Sequence, residues 1–337
     1  MIDCAVHEQL LLDGNRIGVA TPWASELGSL RTALLSARRE AADRGLLLAS
    51  GVPPVGPDPA VLVLPVGPDP AVSVPPVGPG PAVSVLPVGS GSAVSCGLRV
   101  DVAVPDSRLA VDVCRRLRAW LPVIRALTAN SPVAGGADTG YASWRFVRRQ
   151  RDALGALGPR SRVAADPARM AVLVREAADA VSQALLGWHA RPHPDRPAVQ
   201  VDAGDVCLTT DDTILVTALV RAAVATAVQE AEAARSDALI HDHLIAEAHW
   251  QAARGGLTGD LTDPRLGRSR PAWELVDEFF ATVTPGLSAP GDLDLVLSGL
   301  TRLRDDGNGA ERQRRLYDKA GGVEAGLLDV AAESVAG

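Results

Sequence analysis

Few residue sets in this chain have both the types and the spacing that chemistry demands. His7-Glu8 and His241-x-His243 have the short spacing of metal ligands, since imidazole nitrogens and carboxylate oxygens both hold divalent ions. Residues two apart on a helix point to different faces, so His241 and His243 are expected in solvent. His249 beside Trp250 reads as helix packing. The four cysteines, Cys4, Cys96, Cys114 and Cys207, have no paired short spacing, which argues against a zinc site and a disulfide framework. No Ser-His-Asp order, glycine-rich phosphate loop or CxxC motif occurs. Asn130, Asp138 and Arg145 lie in or beside a polar loop running from Asn130-Ser131-Pro132 to Asp138-Thr139-Gly140-Tyr141. There they either cap backbone groups or bind substrate, and short polar side chains in a tight loop favour capping.

The elements that would position such groups can be read from periodicity. Leu98, Val100, Val102 and Val104 alternate with Arg99, Asp101 and Ala103, the pattern of a half-buried strand. Ser107 is a candidate cap for a helix with Leu109, Val113, Leu117, Trp120, Ile124 and Leu127 on one face, which Pro122 should kink. Val199 and Val201 alternate with Gln200 and Asp202 in a second strand. Helices are expected over 25–44, 167–187, twice within 210–255, and over 272–284, 292–305 and 309–334. A short strand is expected at Leu46 to Leu48. Residues 53–96 hold an 11-residue repeat in four copies, PPVGPDPAVLV, LPVGPDPAVSV, PPVGPGPAVSV and LPVGSGSAVSC. Proline removes ladder donors, so polyproline II or edge hairpins are expected there and a central sheet is not. The expected organisation is a short amino-terminal part (1–52), the repeat insertion (53–96) and the remainder (97–337).

A chain of 337 residues can bury a large core. Lys319 is the only lysine among 33 basic residues, and the net charge of −7 argues against a nucleic-acid partner. Arg145, Arg148, Arg149 and Arg151 read as a solvated helix face. No signal peptide and no 18-residue apolar run are apparent, so no membrane partner is expected and the chain reads as cytoplasmic.

The run L-R-x-W-L-P-V-x-x-A-L-x-A-N-S-P followed by D-T-G-Y-A-S-W-R (residues 117–145) resembles the type-2 glutamate–cysteine ligase family, ATP-dependent carboxylate–amine ligases. Further matches are Ile17 to Pro22, where the family has Val-Glu-x-x-Thr-Pro, and Trp188-x-x-Arg191-Pro192-x-Pro194 through Asp205. Others are Ala248 to Arg254 and Gly309 to Gln313. The resemblance implies an α+β fold, a glutamine-synthetase-like cupped and mostly antiparallel sheet with helices. The family's acidic first strand, Gly-Val-Glu-Glu-Glu-Phe, is missing, and that loss would expose a sheet edge.

Such a ligase makes an acyl phosphate from ATP and passes it to an amine. Carboxylates must hold Mg²⁺ against the phosphates, and a cation must stabilise the transferred group. At the matching positions this chain carries Gly18 for a glutamate, Arg99 and Asp101 for two histidines, Gln200 for a glutamate and Asp202 for an arginine. The resemblance therefore implies a degenerate site, and a partner or regulatory homologue that is weakly active or inactive. A homodimer or a complex with an intact ligase homologue would then be the partner. An active ligase is the alternative, with ATP and Mg²⁺ as cofactors, Arg191 and Asp202 as catalytic groups and Asp101 and Asp202 on the metal. A decayed, non-functional product is a further alternative. In the degenerate case Arg99 and Asp202 are expected to form an ion pair that fills the emptied site. Arg191, flanked by His189 and His193, is either structural or a residual anion site.

Overall fold

The computed structural model describes residues 2–12, 15–43, 83–87, 97–134, 136–156, 189–236, 239–287 and 291–336, and only the backbone of 9–12, 15–18, 83–87, 152–156 and 324. Strand β1 (Cys4–Leu12) is followed by β2 (Asn15–Ala20), helix α1 (Leu27–Asp43), β3 (Val83–Pro87) and β4 (Gly97–Ala103). Then come α2 (Ser107–Leu117), α3 (Leu121–Thr128), the small hairpin β5 (Val133–Ala134) and β6 (Ala137–Asp138), α4 (Trp144–Ala156), β7 (Ala190–Pro192) and β8 (Ala198–Asp205). The carboxy-terminal part is α5 (Thr210–Glu232), α6 (Asp242–Gly255), a second hairpin β9 (Asp260–Asp263) and β10 (Arg268–Pro271), α7 (Ala272–Val283), α8 (Asp292–Asp306), α9 (Gly309–Ala320) and α10 (Val323–Val335).

One antiparallel sheet organises the molecule, in the order β3-β2-β1-β4-β8-β7. Its helix-facing side carries Cys4, Val6, Leu98, Val100, Val102, Val199, Val201 and Ala203, all buried in one cluster with α1 and α5. Burying each such Val or Leu stabilises the fold by about 1.5–3 kcal/mol. The α+β, mostly antiparallel architecture is as expected. A strand before Leu11 was not: β1 lies between β2 and β4, so residues 4–12 form an interior strand of the sheet. The strand beyond β2 is β3, drawn from the repeat region, and it is an edge strand, where proline is tolerated. The remaining repeat residues, the expected strand at Leu46 to Leu48, Trp188 and the helix expected over 167–187 lie outside the described residues.

Local signals explain most boundaries. Asp106, not Ser107, caps α2, its carboxylate accepting from the Arg108 and Leu109 amides. The helix around Pro122 is broken, not kinked: Pro122 sits in the first turn of α3, where its missing N–H has no partner to lose. Asn308 caps α9 in a reciprocal box with Glu311. Helix α5 is apolar on nearly every side, because it runs through the core under the sheet. By length and composition it would pass as a membrane span, a run the sequence reading did not pick out. However, 78% of its apolar window is buried in this fold.

The amino-terminal strand is tied down by charge. Glu8 faces the helices, fully buried, and takes Arg38 Nε at 2.9 Å and Nη2 at 2.6 Å. Arg38 also donates to the Cys207, Leu208 and Ser334 carbonyls, and Thr213 donates to Glu8. A buried ion pair persists only when its remaining hydrogen-bonding capacity is met in this way.

Candidate functional site

The face of the sheet away from the main core carries the chemistry-bearing residues in rows. His7 on β1 stands opposite Arg99 on β4, and Arg99 stands opposite Asp202 on β8. The Asp202 amide donates to the His189 carbonyl at 2.7 Å, extending the row towards β7. In the next row Asp101 faces Gln200, and Gln200 faces Arg191. Directly paired residues share a face, and so do residues two apart. Of the six candidate positions on the sheet strands, five, Arg99, Asp101, Arg191, Gln200 and Asp202, thus converge. The sixth, Gly18, lies on β2 opposite Gln9, one row further on. His7 joins the cluster although the sequence reading paired it with Glu8. Alternation along the strand sends Glu8 to the opposite face, so the two cannot share a metal.

Asp101 is the buried centre of this cluster. His7 Nε2 lies 3.0 Å from Oδ2, Arg99 Nε 3.3 Å from Oδ1, and the Gln200 amide donates to Oδ2 at 3.4 Å. Burial pushes the Asp101 carboxyl up, but His7, Arg99 and Gln200 together outweigh it and hold the pKa below the usual carboxylate range. Asp202 is more open, with Arg191 Nη1 at 3.9 Å, and Arg191 Nε donates to Gln200 Oε1 at 3.0 Å. The expected ion pair between Arg99 and Asp202 is therefore replaced. The cation turns to the carboxylate on its own strand, whose side chain is 2% exposed against 25% for Asp202. The buried charge needs it more.

Each carboxylate on this face already has a guanidinium, and Asp101 has an imidazole and an amide as well. A Mg²⁺ ion needs several oxygen ligands with negative charge to spare. Among the described residues no group of three or more His, Cys, Asp or Glu side chains could hold a metal ion. The described residues of this face do not fit a magnesium site, and Asp101 and Asp202 stand as ion-pair partners.

A bulge in β8 shapes the end of the face. Leu98 pairs with Gly204 but Arg99 with Asp202, so Ala203 is the extra residue and Asp205 is brought opposite Gly97. Asp205 is 1% exposed and accepts from the Asn130 amide at 2.9 Å, the Ser131 hydroxyl at 2.7 Å, the Ser143 hydroxyl at 2.9 Å and Arg145 Nε at 2.7 Å. Arg145 lies across Gly97, where an added Cβ would come within 2.9 Å of its Nη1. Asn130 donates to the Val206 carbonyl and accepts from Gln313. Asn130 and Arg145 are 0% and 4% exposed, and both clamp the loop, to β8 and to α9. Arg145 also leaves the solvated face that the arginine cluster was expected to form. Asp138 is exposed, holds the Gly140 amide, and pairs with Arg314 at 2.8 Å. Burial pushes its pKa up less than Arg314 lowers it.

Behind Asp202 lies a set the sequence did not reveal. Arg125 on α3 donates from Nε to His249 Nδ1 at 2.9 Å and lies 3.1 Å by Nη2 from His189 Nδ1. Phe146 covers the guanidinium at 4.4 Å. Burial first, then neighbouring positive charge, pushes both histidines well below their usual value; Arg125 itself is pulled down to about 9 by burial and by Arg145. Residues 125, 189 and 249 are too far apart in sequence for any spacing rule to join them. His241 and His243 are exposed, as expected, although His241 precedes α6 and lets their rings approach to 5.5 Å.

This α+β arrangement of helices on an antiparallel sheet is similar to a solved glutamate–cysteine ligase from Francisella tularensis in complex with AMP. The TM-score is 0.64 at 12% identity, over 99% of this chain and 88% of that one. The likeness defines a glutamine-synthetase-like ligase fold. The model of glutamate-cysteine ligase family 2 matches residues 88–333. A relative from Salinispora tropica named for glutamate–cysteine ligase 2 is 47% identical over 71% of this chain and 64% of its own length. This chain therefore spans less than two thirds of that relative. Another so named, from Mycobacterium sp. (strain KMS), is 36% identical over 98% of this chain and 90% of its own length. The chain belongs to glutamate–cysteine ligase family 2.

Proposed function

We propose that this family member performs ATP-dependent carboxylate–amine ligation weakly or not at all, and acts in the cytoplasm as a partner or regulator of an intact homologue. The observation that carries the reading is the pairing on the sheet face: Asp101 with Arg99 and His7, and Asp202 with Arg191. A phosphoryl-transfer site holds its metal with uncompensated carboxylates. Here the negative charge is already neutralised by the protein. Gly18 and Gln200, at positions where the family resemblance places glutamates, remove two further ligands.

The second reading, an active ligase using Asp101, Asp202, Arg191, ATP and Mg²⁺, has one observation in its favour: those three residues share one face of the sheet. The test is ADP release from Mg·ATP with glutamate and cysteine, by the chain alone and mixed with an intact relative. Silence alone and altered turnover by the relative in the mixture support the partner role. Turnover by the chain alone, lost on Asp202→Ala, would overturn it in favour of the second reading.

A further inference from the structure

We propose that Tyr141, Trp144 and Trp250 form a docking surface for the proline-rich repeat of a second copy of this chain. Aromatic residues make up only 3% of the sequence, yet these three meet where the loop before α4 reaches α6. The Tyr141 ring centre lies 5.4 Å from that of Trp144 and 5.8 Å from that of Trp250. Trp250 is 40% exposed, and Tyr141 and Trp144 are half-buried. The backbone behind the rings is fixed. The Ala142 and Ser143 amides donate to the Arg254 and Ala253 carbonyls of α6, and Arg314 donates to the Tyr141 carbonyl. A surface held in place in this way loses little freedom on binding.

The occupant is written in the chain itself. Three copies of the repeat contain Pro-Val-Gly-Pro, at residues 54–57, 65–68 and 76–79. Polyproline II has three residues per turn, so prolines three apart lie along one edge and dock together on exposed aromatic rings. The charges are complementary. Asp58 and Asp69 follow the first two units. Arg148 and Arg151 follow Trp144 at four and seven residues, on the same face of α4. The Arg151 guanidinium lies 4.9 Å from the Trp144 ring centre, and Arg148 Nη1 is buried without a hydrogen-bond partner. The repeat joins the sheet as β3, at one edge, whereas Arg145, next to Trp144, is bound to Asp205 on β8, four strands across the sheet. That separation favours the repeat of a second copy over the chain's own.

The test is sedimentation velocity of the full chain over a range of concentrations. Concentration-dependent association is expected, weakening as salt screens the Arg–Asp attraction. Trp250→Ala and, separately, Arg151→Glu should each weaken it about tenfold or more. A variant with Pro54→Ala, Pro57→Ala, Pro65→Ala, Pro68→Ala, Pro76→Ala and Pro79→Ala together should lose association as well. Both single substitutions fall on exposed side chains, and urea unfolding checks that every variant is folded. Trp250→Ala mixed with the proline variant should associate again, because one supplies the repeat and the other the aromatic surface. A monomer at every concentration, association unchanged by Trp250→Ala, or no association in the mixture would overturn the proposal.

Discussion

Mild acid should weaken this fold through two residues. His189 and His249 are buried and neutral, and their pKa values lie well below the ordinary 6.5, first by burial and then by neighbouring groups, His249 and Arg125 for His189 and Arg125 for His249. The unfolded chain takes up protons on both rings below about pH 6.5, and the folded chain does not. The stability they leave intact above pH 6.5 is therefore lost progressively as the pH falls. Taking pH 7 to 5.5, linkage gives a loss of about 1.25 kcal/mol per ring, about 2.5 kcal/mol together. That is a large part of a typical domain's stability. Glu333 is pushed up by burial and so acts in the opposite sense, favouring the fold as pH falls. Comparison with a His189→Gln, His249→Gln variant removes that contribution, since Gln still accepts from Arg125 but cannot titrate. Urea unfolding at both pH values is the assay. The wild type should lose about 2.5 kcal/mol more than the variant. Equal losses would refute the argument.

Other consequences concern the buried charges. Arg38→Met leaves Glu8 charged and unpaired in the core and should cost about 3–5 kcal/mol in urea unfolding, with most of it recovered by adding Glu8→Gln. Asp205→Ala strands four donors and should cost about 3 kcal/mol or more, whereas Asp138→Ala, which breaks an exposed pair with Arg314, should cost no more than about 1 kcal/mol. Arg99→Ala should cost about 1–3 kcal/mol, because Asp101 keeps His7 and Gln200 but loses the guanidinium beside its buried charge; a loss no larger than that of Asp138→Ala would mean that Asp101 does not depend on Arg99.

The strands carrying Arg99, Asp101, Gln200 and Asp202 were legible because one of their faces is purely apolar. The first strand was not, because Glu8 interrupts its apolar side, and the partner that makes this tolerable, Arg38, lies thirty residues on in a helix. Resemblance located the face but not its wiring. The register put Arg99 opposite Asp202, yet relative burial, which sequence does not display, sent the guanidinium to Asp101. For Asn130 and Arg145 the polar loop favoured capping over substrate, but the carboxylate they hold, Asp205, could not be read from the sequence, because the bulge at Ala203 is what turns it towards them. The Arg125 cluster depends on three elements meeting and leaves no local signature.

The proposal that this sheet face no longer holds Mg·ATP rests on the pairing of both its carboxylates. Titration calorimetry of the full chain with Mg·ATP tests it most directly, beside an Asp101→Ala, Asp202→Ala variant. The pairing of both carboxylates predicts no magnesium-dependent heat in either protein. Saturable, magnesium-dependent binding by the wild type that the double variant loses would contradict it.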